Sequence, residues 1–189
     1  MKRLSFIAVF AAVGLLLSTQ GLAAQKSKAH PKSKEDKIQN AMSAAPKAIA
    51  KEATILDYPA NEGGEMVTLR QGTNEWTCLP DDPSTPANDP MCLDKMAMQW
   101  AQAWMSKKEP KLTGPGIGYM LQAGGSASNT DPFAKKPPAG ETWMKEAPHI
   151  MVFPAGKLDR NVYTTDPHTG GPWIMWAGTP YEHLMVPVQ

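Results

Sequence analysis

Two short phrases in the C-terminal third each place a histidine and a methionine two residues apart in an apolar run. The first is Pro-His-Ile-Met-Val at 148–152, and the second is Glu-His-Leu-Met-Val at 182–186. On a β-strand, side chains two residues apart share one face. The side chains that this alternation places in pairs are His149 with Met151 and His183 with Met185. Both phrases therefore predict strands, and strands need neighbours to pair their backbone groups.

Each phrase closes a longer segment, and the two segments resemble each other. A Thr-Asp-Pro turn signal opens each segment, at 130–132 and at 165–167. A tryptophan-bearing stretch lies between the turn and the histidine in both cases. The pattern predicts a unit present in two copies, over 130–152 and 165–186.

The paired side chains raise the question of a metal site. Imidazole and thioether form a soft ligand set that suits Cu(I), and two such strands lying side by side would bring His149, Met151, His183 and Met185 together. The chain has 12 methionines, but methionine also fills gaps in cores. Core packing is the first interpretation of these residues, so we expect no cofactor, and copper is the alternative that the ligand set would favour.

Aromatic residues around the phrases predict a binding or interaction surface. The candidate ligand contacts are Trp143, Trp173, Trp176 and Tyr181. A catalytic interpretation would make His149 or His183 a general base, oriented by Asp131, Asp166, Glu146 or Glu182. Nothing in the sequence fixes such a pair, so we assign no catalytic residue. The first hypothesis is a non-catalytic binding or interaction protein, and the alternatives are a soft-metal protein and a cell-envelope hydrolase.

The amino terminus predicts export. Residues 1–23 combine a basic start, an apolar run and a small-x-small cleavage site that ends at Ala23, as in a signal peptide. The apolar run is shorter than the roughly 20 residues of a membrane-spanning helix, so no transmembrane segment is expected after cleavage. A basic, disordered leader at 24–37 precedes the body at 38–189, which is mildly acidic although the whole chain carries a formal charge of +1. An acidic body disfavours nucleic acid as a partner. We expect a periplasmic or secreted protein that meets a small ligand or an envelope protein.

The two cysteines, Cys78 and Cys92, predict a structural disulfide. An even pair in an exported chain is usually bonded, and the spacing does not match a Cys-x-x-Cys redox motif. In the chain-entropy model such a loop of about 15 residues stabilises the fold by about 3 kcal/mol.

The remaining patterns predict a single α+β domain: an antiparallel sheet of five to seven strands with one main tryptophan-rich helix packed on it. The helix is expected from Pro90 to about Lys108, with Asp89 as its N-cap and Trp100 and Trp104 on its apolar stripe. Alternation at 65–70 and a turn before 75–78 predict a hairpin that carries Cys78, so that the disulfide would join this hairpin to the helix.

Several phrases resemble a group of uncharacterised exported bacterial proteins. They are Asp-Asp-Pro-Ser-Thr at 81–85, Asp-Pro-Met-Cys at 89–92, Ser-Asn-Thr-Asp-Pro at 128–132 and Gly-Thr-Pro-Tyr-Glu-His-Leu-Met at 178–185. The resemblance covers about residues 54–188. It implies a location in the cell envelope and carries no activity or site residues.

Overall fold

The computed structural model describes residue 30 and residues 33–61 and 63–188. The predicted signal peptide at 1–23 and residues 24–29, 31 and 32 of the predicted leader lie outside the described residues, whereas residues 34–37 of that leader are helical. Within the described part, the helices are α1 (Lys34–Met42), α2 (Lys47–Ala50) and α3 (Lys95–Met105). The strands are β1 (Thr54–Asp57), β2 (Val67–Arg70), β3 (Thr77–Leu79), β4 (Met91–Leu93), β5 (Gly116–Met120), β6 (Gly124–Ser126), β7 (Met144–Glu146), β8 (His149–Phe153), β9 (Trp173–Met175) and β10 (His183–Pro187).

One large sheet organises the molecule. Its strands follow the order β2-β1-β3-β4-β5-β8-β10-β9, and β6 and β7 form a separate two-stranded sheet. All pairings are antiparallel except that of β1 with β3, which is parallel. The predicted α+β domain with a mostly antiparallel sheet is confirmed, and the sheet has eight strands where five to seven were expected.

The predicted hairpin between β2 and β3 is wrong, because β1 lies between these two strands. The turn that follows β2 is bonded to the residues around the start of β1. Gly72 donates its N–H to Thr54 Oγ1 at 3.1 Å, and Thr73 donates its N–H to the Glu52 carbonyl at 2.7 Å. These bonds bring β2 back along one edge of β1 and leave the other edge for β3.

The predicted disulfide between Cys78 and Cys92 is confirmed. The two cysteines lie directly opposite each other on β3 and β4, and both are fully buried. The bond therefore joins two neighbouring strands. The expectation that it joins a hairpin to the helix is wrong, because residues 91–93 extend the sheet before the helix begins.

Helix α3 begins later than predicted. Its N-cap is Asp94, whose Oδ1 accepts the Ala97 N–H at 2.8 Å and whose Oδ2 accepts the Ile117 N–H at 2.8 Å. Asp89 is not the N-cap, since its carboxylate accepts the N–H of Asp82 within the preceding loop. A side-chain acceptor facing the first free N–H groups decides where a helix starts.

The two faces of the sheet are covered by different layers. Helix α3 packs Trp100 against Phe153 with ring centroids 4.4 Å apart. The opposite face carries α1 and α2, whose contact with the sheet consists largely of small side chains. Its buried alanines are Ala41, Ala44, Ala45, Ala50 and Ala53. Arg70 of β2 fixes this layer by donating to the carbonyls of Ala50 and Ala53 at 2.8 and 2.9 Å.

None of the helices in residues 33–61 and 63–188 has the length and apolar character required to span a bilayer.

Candidate functional site

The two His-x-Met strands are neighbours in the sheet, and their side chains share the face that α3 covers. Met151 of β8 lies directly opposite Met185 of β10. His149 lies opposite Pro187, so it is at the other end of the strand pair from His183. Four residues of strand separate the two histidine positions, which is about 13 Å at the usual rise. The register thus brings the thioethers together and places the two imidazoles on either side of them.

Both imidazoles are held in the same way. Nδ1 of His149 donates to the Ala147 carbonyl at 2.7 Å, and Nδ1 of His183 donates to the Tyr181 carbonyl at 3.0 Å. Burial lowers the pKa of His183 to about 4 and also lowers the pKa of His149. Both rings are therefore neutral at physiological pH, with the proton on Nδ1 and a lone pair on Nε2.

The two Nε2 atoms lie in different surroundings. The ring of His183 meets Trp100 and Trp176 edge to face, with centroid distances of 5.1 Å to each. The Nε2 atom of His149 is buried and has no hydrogen-bond partner. A buried acceptor without a partner costs about 1–3 kcal/mol of stability, so His149 lowers the stability of the fold at this position.

The four carboxylates proposed as orienters have separate roles. Asp131 and Asp166 are exposed and each accepts a backbone N–H within its own turn. Glu182 accepts two backbone N–H groups. Glu146 is the one that lies near a histidine, because both side chains lie beside Gly124. A Cβ atom built on this glycine would be 2.5 Å from Glu146 Oε2 and 3.2 Å from His149 Cε1.

Beside this buried cluster lies a pocket of about 490 Å³, which we call the aromatic pocket. It lies between the end of α3 and the loops around residues 125–135 and 143. Its aromatic lining consists of Trp104, Phe133, Trp143 and Trp176, and its wall also includes Met105 and Ser126. Phe133 and Met105 are 40% and 44% exposed, so apolar surface faces solvent at its rim.

The structure places two of the four predicted ligand contacts in the aromatic pocket, namely Trp143 and Trp176. The other two lie in the core. Trp173 is 4% exposed and its Nε1 donates to Asn129 Oδ1, whereas Tyr181 is 5% exposed and its hydroxyl donates to the Lys108 carbonyl.

Trp176 has a strained backbone at the base of the aromatic pocket. Its φ is +52°, a left-handed conformation that is uncommon for a bulky residue. Two hydrogen bonds of 2.9 Å hold it there: its N–H donates to the Asn129 carbonyl, and its Nε1 donates to the Ser128 carbonyl. Backbone strain of this kind concentrates at functional sites, where it fixes a side chain in place.

Trp104 and Trp176, which line the pocket, pack with Trp100 in a cluster of three tryptophan rings. The rings of Trp100 and Trp176 are nearly parallel, at 7° and 5.9 Å between centroids, and Trp104 lies 5.4 Å from Trp176. Trp104 Nε1 donates to the Pro132 carbonyl at 2.9 Å and so fastens the 131–135 loop to α3. Trp104 and Trp176 of the pocket wall are therefore held by hydrogen bonds and ring contacts.

The chain matches no protein-family model, no curated protein and no solved structure. The resemblance to exported bacterial proteins stays a prediction.

A larger pocket of about 760 Å³ has Trp100 in its lining. Its charged lining is mixed in sign and consists of Glu109, Lys111, Lys157, Arg160 and Glu182. Arg160 and Glu182 approach each other to 3.9 Å. Apart from Trp100 its walls carry no aromatic ring among the described residues, and it contains none of the four predicted ligand contacts.

Sequence reasoning missed three residues of the aromatic pocket. Trp104 was assigned to the core because it lies one helical turn from Trp100, and it does pack there while its ring also lines the pocket. Phe133 follows the Asp131 turn at an exposed position, and an apolar ring directly after a polar turn is the signal that could have found it. Ser126 lies in a Gly-Gly-Ser-Ala-Ser stretch, and no local pattern there indicates a pocket wall.

Proposed function

We propose that this protein is an exported, non-catalytic binding protein that holds a ring-bearing ligand in the aromatic pocket. The observation that carries the proposal is the position of Trp143 and Trp176 in one pocket, with Trp176 held in a strained conformation. Pockets for small ligands usually have volumes of about 300–1,000 Å³ and apolar walls with few polar groups. The aromatic pocket fits this description in volume and in lining.

Stacking is the interaction that this lining favours. Aromatic pairs contribute about 0.5–1.5 kcal/mol beyond the area they bury. The indole N–H groups of Trp104 and Trp176 are already bonded to carbonyls, so these rings offer their faces and apolar edges to a ligand. A planar or ring-shaped ligand uses such surfaces best.

The histidines support a non-catalytic role. Each donates its Nδ1 proton to a backbone carbonyl, and neither belongs to the lining of the aromatic pocket. A general base has to reach the proton that it abstracts. Ser126 does line the pocket, but its hydroxyl donates to the carboxyl group of Glu146. It is therefore not paired with a histidine, as a serine nucleophile with an imidazole base would be.

Export is supported by two features. The fully buried Cys78–Cys92 bond is of the kind that persists in oxidising compartments. The amino-terminal pattern of residues 1–23 fits a signal peptide.

The test uses neutral ring compounds, indole and a methyl glycoside, titrated into the mature protein by calorimetry and by saturation-transfer NMR. We expect at least one to bind with a Kd below about 1 mM, a level at which weak ligands are still measurable. Trp143→Ala should weaken binding about tenfold, which corresponds to about 1.4 kcal/mol. Trp76→Ala is the matched control, because Trp76 is also half-buried but packs against Tyr119 on the other face of the sheet. Absence of binding, or equal losses in both variants, would overturn the proposal.

Soft-metal binding is a second candidate, favoured by the unpartnered Nε2 of His149. The sheet register places Met120 directly opposite His149, and Met151 and Met185 are on the same face. Cu(I) titration of the mature protein and of His149→Phe tests this candidate. Affinity weaker than micromolar, or affinity unchanged in the variant, would remove it.

A further inference from the structure

Ser126 contributes a hydroxyl group to the wall of the aromatic pocket, and the hydrogen of this hydroxyl is already donated to a carboxyl group. This residue ends β6, and its Oγ donates to Oε1 of Glu146 on β7 at 2.5 Å. A hydroxyl has one hydrogen to donate and two lone pairs that accept. While Ser126 donates to Glu146, a ligand in the pocket therefore meets a hydrogen-bond acceptor at this point.

Glu146 is positioned to keep the hydroxyl in this orientation. Its side chain is 6% exposed, and it projects from β7 beside Gly124, its direct partner in the two-stranded sheet. A side chain at position 124 would collide with Glu146 Oε2, so the glycine leaves the space that the carboxyl group occupies. The carboxyl group lies behind the pocket wall and meets the pocket through Ser126.

We propose that Ser126 selects ring-bearing ligands that present an N–H or O–H donor, and that protonation of Glu146 removes this selection. The inference rests on the proposed function, since it concerns the same aromatic pocket. When Glu146 is ionised it can only accept, and Ser126 must donate to it. When Glu146 is protonated it can donate to Ser126, whose hydrogen is then free to turn toward the pocket.

The protonation of Glu146 falls in the pH range around neutrality. Burial raises the pKa of Glu146 to about 7, and the hydrogen bond from Ser126 acts in the opposite direction. Among the described residues, Ser126 of β6 is bonded to the carboxyl group, and the side chains of His149 of β8 and Met120 of β5 lie with it beside Gly124. Burial lowers the pKa of His149, opposite in direction to its effect on the pKa of Glu146. The charged residues of the pocket lining are Asp82, Lys107 and Lys135.

The test compares indole with 1-methylindole, two rings that differ in the presence of one N–H donor. Calorimetry on the mature protein at pH 8.5 should show indole binding about fivefold more tightly, as one hydrogen bond of ordinary net strength provides. At pH 5.5 the two affinities should differ less than twofold. Ser126→Ala should bind both rings equally at both pH values, because it keeps the aromatic walls and removes the acceptor. Glu146→Gln should give a ratio that does not change with pH.

The outcomes separate this inference from the proposed function. If both rings bind the wild-type protein equally at pH 8.5, or the preference survives Ser126→Ala, the inference is overturned and ring binding stands. If neither ring nor a methyl glycoside binds, the proposed function is overturned and the inference with it. If Glu146→Gln does not fold, the inference is still tested by two measurements. They are the ratio of the indole and 1-methylindole affinities of the wild-type protein at the two pH values, and the same ratio for Ser126→Ala.

Discussion

Replacing the buried carboxyl group of Glu146 by an amide should make the protein more stable at alkaline pH. The ordinary pKa of a glutamate is 4.5, and burial raises the pKa of Glu146 to about 7. The folded state therefore retains a proton that the unfolded state has lost. Its stabilising contribution is fully present below pH 4.5 and is lost as the pH rises through 7.

The magnitude follows from the difference between these two pKa values. At 1.36 kcal/mol per pH unit, it corresponds to about 3 kcal/mol of unfolding free energy. Glu146 is 6% exposed, so solvent screens this effect little. Glu146→Gln keeps an acceptor for the Ser126 hydroxyl and cannot ionise. Its unfolding free energy should therefore fall by about 2.5 kcal/mol less between pH 5 and pH 8.5 than that of the wild type, because the rest of the difference lies below pH 5.

The assay is urea unfolding at both pH values, followed by circular dichroism with the disulfide intact. Burial lowers the pKa of His149 and of His183, and these groups favour folding less as the pH falls below 6.5. They are common to both proteins, so the comparison depends on the difference between the two pH profiles. Asp89→Asn is the positive control, because burial also raises the pKa of Asp89. Identical profiles for wild type and Glu146→Gln would refute the reasoning.

Three further predictions concern stability. Removing the disulfide in a Cys78→Ala, Cys92→Ala double variant should cost about 3 kcal/mol in urea unfolding, and a loss below 1 kcal/mol would contradict its structural role. Trp176→Gly should be about 1 kcal/mol more stable than Trp176→Ala, because only glycine adopts the φ of +52° without strain; the reverse order of thermal melting temperatures would argue against that strain. Asp94→Ala should destabilise the fold by about 2 kcal/mol, since its side chain accepts two backbone N–H groups. A shift in melting temperature no larger than that of an exposed Lys95→Ala control would show that Asp94 does not cap α3.

The elements that depend on local patterns could be predicted from the sequence. Pro46 interrupts the run of helix-forming residues at 35–52, and it is the N-cap of α2. The stripe of Trp100 and Trp104 identified α3, and the His-x-Met alternation identified β8 and β10. Each of these features repeats with the period of its own secondary structure, so a short window contains the whole signal.

The pairing partners could not be predicted, because they depend on distant residues. The β4 strand at 91–93 is a three-residue apolar run that merges with the helical pattern behind it. Asp89 and Asp94 are equally good caps by residue type, and only the position of the sheet decides that Asp94 meets the N–H groups of Ala97 and Ile117. The parallel pairing of β1 with β3 has no local signal at all.

The candidate site was predicted in part. Trp143 and Trp176 belong to the aromatic residues around the two His-x-Met phrases that the sequence singles out, and both line the aromatic pocket. The importance of Glu146 could not be predicted, because its raised pKa results from burial and burial is a property of the assembled fold. Ser126 gains its interest only from its contact with that carboxyl group.

The alanine-rich layer has a consequence for how the molecule opens. Alanine side chains bury little area, so α1 and α2 are bound to the sheet by less hydrophobic free energy than α3, which is bound by Trp100. Segments with weak attachment detach in rare local openings without global unfolding. The amides of α1 and α2 should thus exchange with solvent deuterium before those of α3. The protein can expose one face of its sheet while the stacked tryptophans on the other face, and the pocket they support, keep their arrangement.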